Sequence, residues 1–400
     1  MAPARISKAQ REREALDEFS RMLAAVPDPR RKQGQRYPFE SVIVIALMSM
    51  VCGADDASGM EVWGELKEEW LSGFLSLPHG TPSQDVFLAV FAALKPEAFN
   101  GLFLAWMELL KGRLSTWGRH IAVDGKTSRR SFDLVKKQPA IHTVSAWLSD
   151  EGLVLGQFKT REKSNEITAI PELLRLIDLR GATVTVDAMG CQSEIAEEIV
   201  AGGGSYLLAV KENQPTLHAD IREAFDDGVR EPRQPMDPPL AVERWSDTTK
   251  GHGRIEERTL LVCRDLSWIT TRRRWSNLAF IARMESTRTD VRTGRSTTEH
   301  RYFIGSDSGA SCERIGQLNR RHWGIENELH WVLDMAFRED EARHRARHCA
   351  ANFSTLRHFT LNLIKNAPNR KLGIPNSRKR SRPKRPATGA VAAFSDVEGN

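Results

Sequence analysis

The chain has 400 residues, a formal net charge of +6, 40% hydrophobic residues and 28% charged ones. These proportions belong to a folded globular chain long enough for two or three domains. They exclude wholesale disorder, collagen-like repeats and a polytopic membrane protein. The charge is unevenly placed: between Ala342 and Ser395 stand 13 Lys or Arg and no Asp or Glu, whereas residues 1 to 341 carry 45 basic against 50 acidic side chains. A slightly acidic body with a basic C-terminal segment points to a polyanion as partner, nucleic acid first.

In chain order, residues 1 to about 110 read as helical. Val42 to Met50 suits a buried helix, Glu61 to Leu75 is amphipathic, Ser83 starts a further helix to Leu94, and Pro96 precedes another to Leu110. The texture changes near residue 118. His120 to Val123 is a short strand-like run ending in Asp124-Gly125, and Ile141–Leu148 and Leu153–Phe158 flank a hairpin signal. Ser164 to Leu179 is helical in pattern, with Pro171 expected to restart it. Ala182 to Val186 and Tyr206 to Val210 are further strands. Residues 240 to 305 read as a β-rich block, and from Ala310 a helical period runs to about Lys365. After Pro368 the chain is rich in Pro, Arg and Lys without apolar period, the composition of a disordered tail. The expected organisation is an α-helical region over 1–115 for DNA binding or dimerisation, and an α/β domain over 116–215 that resumes over 309–366. A β-rich insertion over 216–308 separates its two parts, and a basic disordered tail covers 367–400.

Five cysteines in no CxxC spacing argue against a disulfide framework or a four-cysteine zinc site and suit a reducing cytosol. Met1–Gln10 lacks a signal peptide's apolar stretch. The longest apolar run, Val42–Cys52, is shorter than the roughly 20 residues of a membrane span, so no membrane partner is expected.

Two acidic residues, Asp124 and Asp187, end short apolar strands. A lone Asp there is most simply a turn residue. If the two strands are neighbours in one sheet, however, both carboxylates reach the same edge, and their repulsion is relieved by a hard divalent cation such as magnesium or manganese. On the helix near residue 325, Glu326 borders the apolar stripe and shares a face with His322, Trp323 and His330, whereas Glu328 points away. Glu326 is therefore the candidate third acid.

The segments IAVDGKTSRRS at 121–131, KSNEITAIPELL at 163–174, TVDAMGCQSEIAEEIV at 185–200, YLLAVKENQ at 206–214 and HWGIENELHWVLDMAFRED at 322–340 stand in this order, with DPRRKQGQRYPFESVI at 28–43 before them. In these segments the chain resembles the DDE-type insertion-sequence transposases, in the ISAs-one group that includes the H-repeat-associated proteins, over roughly residues 25 to 366. The resemblance implies an RNase H-like α/β catalytic fold, with Asp124, Asp187 and Glu326 as a metal-binding triad for two Mg2+ or Mn2+ ions. It also implies cleavage and strand transfer on double-stranded DNA (terminal inverted repeats and target), a homodimer or larger synaptic complex, and residence in the prokaryotic cytosol at the nucleoid. The wider IS-four-like clan carries Tyr, Arg, Glu and Lys around the glutamate; those places hold Asn319, His322 and Leu333 here, which separates this chain from that clan's handling of DNA ends. The alternatives are a nuclease on the same fold and a domesticated, non-catalytic DNA-binding relic.

Candidate DNA contacts are Lys126, Arg129 and Arg130 after the first acid, and Lys211, Asn213 and Gln214 after the strand ending at Val210. To these are added His322 and Trp323 on the face of Glu326, and Arg343, Arg345 and Arg347 at the head of a basic helix expected over 343–365. Gly202–Gly204 lacks a GK[ST] sequel, so no nucleotide cofactor is expected.

Overall fold

A computed structural model describes residues 17–111, 118–132, 139–160, 166–228, 241–251, 253–367 and 373–380. The N-terminal helices are α1 (Phe39–Val51), α2 (Ala57–Leu71), α3 (Gln84–Ala93) and α4 (Pro96–Lys111). In α1 the sequence FESVIVIALMSMV is apolar on every face, and the helix is buried from Ser41 to Val51. A helix hydrophobic all round must sit inside other structure, and α1 packs against α10 (Cys349–Asn366), itself buried from Ala351 to Ile364. Phe359 of α10 meets Phe19, Phe99, Phe103 and Trp106 at ring-centroid distances of 4.9 to 6.3 Å. The N-terminal helices and the C-terminal helix thus share one core. Among the described residues no single helix is long and apolar enough to cross a membrane.

Nine strands form one sheet in the order β3-β2-β1-β4-β5-β9-β8-β7-β6. The strands are β1 (His120–Thr127), β2 (His142–Leu148), β3 (Leu153–Thr160), β4 (Thr183–Val186), β5 (Ser205–Val210), β6 (Glu243–Gly251), β7 (Arg254–Cys263), β8 (Phe280–Asp290) and β9 (Ser296–Gly305). Only β1–β4 and β4–β5 are parallel pairs. The block expected as an insertion does not stand apart. Its strand β9 pairs antiparallel with β5, from Leu207↔Gly305 to Val210↔Tyr302, and carries the sheet onward through β8, β7 and β6. The outer ends of these strands alternate polar residues and pair them across the ladder, as in Thr287–Thr298 at 2.9 Å and Thr289–Ser296 at 2.8 Å.

Helix α5 (Glu166–Arg175) runs unbroken through Pro171, contrary to the expected restart, and α6 (Ser193–Ala201) and α7 (Pro215–Glu223) follow. The helical stretch after residue 310 is not continuous. It comprises α8 (Cys312–His322), a π-helical segment (Ile325–His330), α9 (Trp331–Phe337) and a 3-10 turn (Glu339–Glu341). Arg338 ends α9 in the left-handed region with φ 50°. The segment expected to open a basic helix at Arg343 is irregular. The helix begins at Cys349, and its Arg357 and His358 are buried rather than turned to a partner.

The tail also departs from expectation. Ile374–Arg380 is a helix, α11, and its Arg378 is 4% exposed. The guanidinium donates to Met50 O at 3.0 Å, to Ala54 O at 2.9 Å, to Asp55 at 2.8 Å and to Ala336 O, and lies 4.4 Å over the Phe337 ring. The remaining tail residues, 368–372 and 381–400, lie outside the described residues.

Candidate active site

Parallel pairing of β1 with β4 sets the site. The register His120↔Thr183 through Val123↔Val186 places Asp124 and Asp187 one step beyond paired valines, side by side at the same sheet edge. The strand does not end at Asp124, as the apolar run had suggested, but continues through Thr127. The turn after β4 receives an N–H from Gly190 on Asp187 Oδ1 at 3.2 Å. The π-helical segment crosses β1 and brings Glu326 to the same cavity, about 250 Å³, which Asp124 and Asp187 also line. One residue of extra turn in a helix is a common device at functional sites. Here His322, Trp323 and Glu326 line that cavity, while His330 Nδ1 stands 3.6 Å from Asp124 Oδ2. Glu328 is exposed.

Burial, and then the neighbouring charges of Asp187, Glu326 and Glu166, push the Asp124 carboxyl up to about 7. Asp187 is raised as well, by burial first. Burial holds His330 and His322 down at about 4, so both rings are neutral near pH 7. His322 belongs to a buried relay: Thr185 Oγ1 is 2.8 Å from His322 Nδ1 and 2.8 Å from His120 Nε2. A hydroxyl has one proton, so it donates to one ring and accepts from the other, which orients His322 at the cavity wall.

The expected DNA contacts divide into two sets. Lys126 is not available to DNA. It lies inside β1, 11% exposed, on the same strand face as Asp124, with its ammonium 2.7 Å from Asp334, 3.2 Å from Glu339 and 3.3 Å from Asp340. It fastens β1 to the helix that follows Glu326. Lys126 and Arg357 hold the Glu339 carboxyl at about 2 although burial alone would raise it. Lys126→Met should cost about 2 kcal/mol, since removing one member of a buried ionic cluster strands the others, with partial exposure reducing the loss. Urea unfolding of the variant measures it, and wild-type stability would show that the cluster fastens nothing.

Gln214 is also internal: its amide donates to Cys191 O at 2.9 Å, and Asn213 donates to Ala188 O at 2.7 Å. Both brace the loop that follows Asp187; Gln214 is buried there, whereas Asn213 stays exposed. Lys211 remains exposed and lines the cavity. Arg129, Arg130, Arg343, Arg345 and Arg347 are exposed, and the fold brings the two groups together. Arg345 lies 5.2 Å over Phe132, and Arg129 N donates to Asp340 at 3.1 Å. His344 stacks on Phe353 at 3.8 Å. Trp323 is 41% exposed and carries Arg301 of β9 at 5.1 Å over its ring.

Sequence reasoning missed Arg301 and Phe303, both on the cavity wall, because only the β5–β9 pairing brings them there. It also missed Glu166, 6% exposed at the start of α5, whose charge acts on both Asp124 and Asp187. Its signal was present: Glu166 lies within KSNEITAIPELL, a segment quoted for the family resemblance.

The acidic donors on the cavity, Asp124, Asp187 and Glu326, offer carboxylate oxygen, the chemistry that magnesium and manganese prefer. An Asp124 carboxyl held near 7 by burial and like charge is one that a divalent cation would ionise. Among the described residues no three such side chains already form a coordination arrangement, so the fit rests on donor chemistry.

A family model for the transposase DDE domain matches residues 118–363, and one described as DDE_Tnp_1-associated matches residues 20–107. The chain is 33% identical over 386 residues to the "H repeat-associated putative transposase YhhI" of Escherichia coli K12, covering 96% of this chain and 99% of that protein. It is 34% identical over 366 residues to "Putative transposase YncI" of Escherichia coli O157:H7, covering 90% of each. It is 35% identical over 248 residues to the "H repeat-associated putative transposase YbfD" of Escherichia coli K12, covering 62% of this chain and 94% of that protein.

Proposed function

The chain belongs to the DDE transposase family, in its H-repeat-associated group, and from that premise we propose that it cleaves DNA at the ends of an insertion sequence and joins the freed ends to target DNA. The observation that carries this reading is the adjacency of Asp124 and Asp187 one step beyond the paired stretch of two parallel strands, with Glu326 on the same cavity. The catalytic half of the sheet with these three acids is read as RNase H-like.

Asp124, Asp187 and Glu326 would hold two Mg2+ or Mn2+ ions. Ions so held would supply the Lewis acidity that phosphoryl transfer needs at the attacking and leaving oxygens. The chain's own residues do the positioning. Lys211 and Arg301 present positive charge across the cavity from the carboxylates, where a DNA phosphate would lie. Trp323 offers an exposed ring beside them. Neutral His330 sits against Asp124 without adding a charge that would compete with a cation. The exposed arginines 129, 130, 343, 345 and 347 are suited to contact the DNA backbone. Double-stranded DNA, a dimer or larger assembly holding two ends, and the prokaryotic cytosol complete the proposal.

The test is a duplex carrying the element's terminal inverted repeat, incubated with the full chain and Mg2+. Cleavage confined to the repeat end, followed by joining of the 3′-hydroxyl to a second duplex, is expected. Cleavage without end specificity or joining would identify a nuclease, and binding without cleavage a non-catalytic relic.

A further inference from the structure

His120 opens β1 and Thr185 lies near the end of β4, and both are buried. Side chains two residues apart share a face of a strand, so His120 lies on the face of β1 that carries Asp124, and Thr185 on the face of β4 that leads to Asp187. Helix α8 packs over both strands and ends in His322. The Thr185 hydroxyl stands between the two rings, 2.8 Å from His120 Nε2 and 2.8 Å from His322 Nδ1. At the far side of the pair, His120 Nδ1 is enclosed without a partner, whereas His322 Nε2 is bonded to nothing among the described residues and is not enclosed. His322 and Thr185 both line the cavity.

The single hydroxyl proton couples the two tautomers. If Thr185 donates to His322, His120 donates to Thr185, and both rings carry their proton on Nε2. If Thr185 donates to His120, both rings carry it on Nδ1, and an N–H of His120 is sealed in the protein with no acceptor. Orphaned buried N–H groups are rarer than under-used acceptors, and Nε2–H is also the more stable tautomer of a neutral histidine. The first arrangement is therefore favoured. It leaves His322 with an N–H rather than a lone pair at the cavity, so the ring can donate to an oxygen but cannot ligate a cation. Burial holds both rings neutral near pH 7, His120 at about 3 and His322 at about 4.

We propose that His322 donates its Nε2–H to a non-bridging oxygen of the DNA phosphate in the cavity, with Thr185 and His120 as positioning residues that fix this tautomer. This rests on the transposase reading above. Lys211 and Arg301 attract the phosphate by charge, and the fixed neutral donor orients it without adding a charge against the cations that the carboxylates would hold.

Two measurements test it. Long-range 1H–15N correlation spectra of the full chain, labelled at histidine and free of metal and DNA, read the tautomers; the His322 signals are those missing from His322→Gln. Nε2–H on His322 is expected, and Nδ1–H would overturn the donor assignment whatever the reaction. Single-turnover cleavage of the inverted-repeat duplex in Mg2+ reads the effect. Thr185→Val keeps the β-branched shape without the hydroxyl and should slow cleavage about 10- to 100-fold, the range of a hydrogen bond to a charged group. Thr185→Ser should restore most of the rate. On a His322→Ala background Thr185→Val should cost nothing further, whereas a purely structural threonine would cost the same in both. Unchanged cleavage in Thr185→Val, or equal losses in both backgrounds, would overturn the proposal. Should Thr185→Val not fold, His322→Gln, whose amide N–H can reach the place of Nε2, should cleave faster than His322→Ala, and equal rates would overturn the proposal. A wild type that shows Nε2–H on His322 but cleaves no end would overturn the transposase reading, and DNA phosphate as the ligand with it.

Discussion

Replacing Asp124 by Asn is expected to lower metal-dependent end cleavage by about 10³-fold or more while making the ion-free protein more stable above pH 7. The two effects have one origin. The Asp124 carboxyl is raised from 3.8 to about 7, first by burial and then by Asp187, Glu326 and Glu166. Between about pH 4 and pH 7 the unfolded chain gives up this proton and the folded chain keeps it. Stability at this position is therefore full below about 4, declines as pH rises through that window, and stays reduced above it. Asn cannot ionise, so the variant lacks the decline. Thermal melts in chelator at pH 5 and pH 8 should show wild type losing more than Asp124→Asn between them. Mg2+ at pH 8 should then stabilise wild type and leave the variant unmoved. Glu326→Gln should abolish cleavage to a similar extent without the stability gain, since Glu326 is exposed. Wild-type cleavage in either variant would remove the triad from the proposal, and a less stable Asp124→Asn protein at pH 8 would contradict the electrostatic account.

Arg378→Ala is expected to destabilise the chain by about 3–5 kcal/mol, the cost of breaking a buried, hydrogen-bonded charge pair. Arg378 ties together the end of α1 through Met50 and Ala54, the following turn through Asp55, and the end of α9 through Ala336. A cation at two helix C-termini also meets the negative end of each dipole. Loss of the guanidinium leaves buried carbonyls and the half-buried Asp55 carboxylate without their donor, and leaves the face of Phe337 uncovered. The same geometry divides the basic tail functionally. Ending the chain after Arg380 keeps Arg378 and removes Arg382, Lys384 and Arg385, so it should preserve stability and flatten the salt dependence of DNA binding. Ending it after Gly373 should destabilise the protein as Arg378→Ala does. Denaturant titration and binding at several salt concentrations separate the two. Equal stability of both truncations would show that α11 is dispensable.

The chemistry at the sheet edge was legible because it is written locally. A short apolar run ending in Asp124, a second, alternating with Thr, ending in Asp187, and a helical stripe bordered by Glu326 each put a carboxylate at the edge of an apolar element. Neighbouring parallel strands then bring the first two together. The apolar character of α1 likewise announced a buried helix before any partner was known. Charge was legible in amount and order, but not in destination. Lys126 was assigned to DNA, yet Asp340, 214 residues further on, holds it inside the protein together with Asp334 and Glu339. Arg378 reads as part of a solvated tail until α1 and α9 close around it, and Gln214 reads as a surface residue until the turn after Asp187 accepts its amide. Arg301 reaches the cavity only because β9 pairs with β5, and Glu166 comes against Gly125, next to Asp124, only because the fold packs the start of α5 there.

By itself, then, the sequence placed most of the strands and N-terminal helices, singled out two aspartates and a glutamate that the fold brings to one cavity, and carried the family in which they occur. The tertiary structure alone decided which charged side chains stay exposed and which face one another. Periodicity and burial preference act between near neighbours along the chain, whereas a long charged side chain takes whichever counter-charge the folded chain places within reach, hundreds of residues away or not in the protein at all.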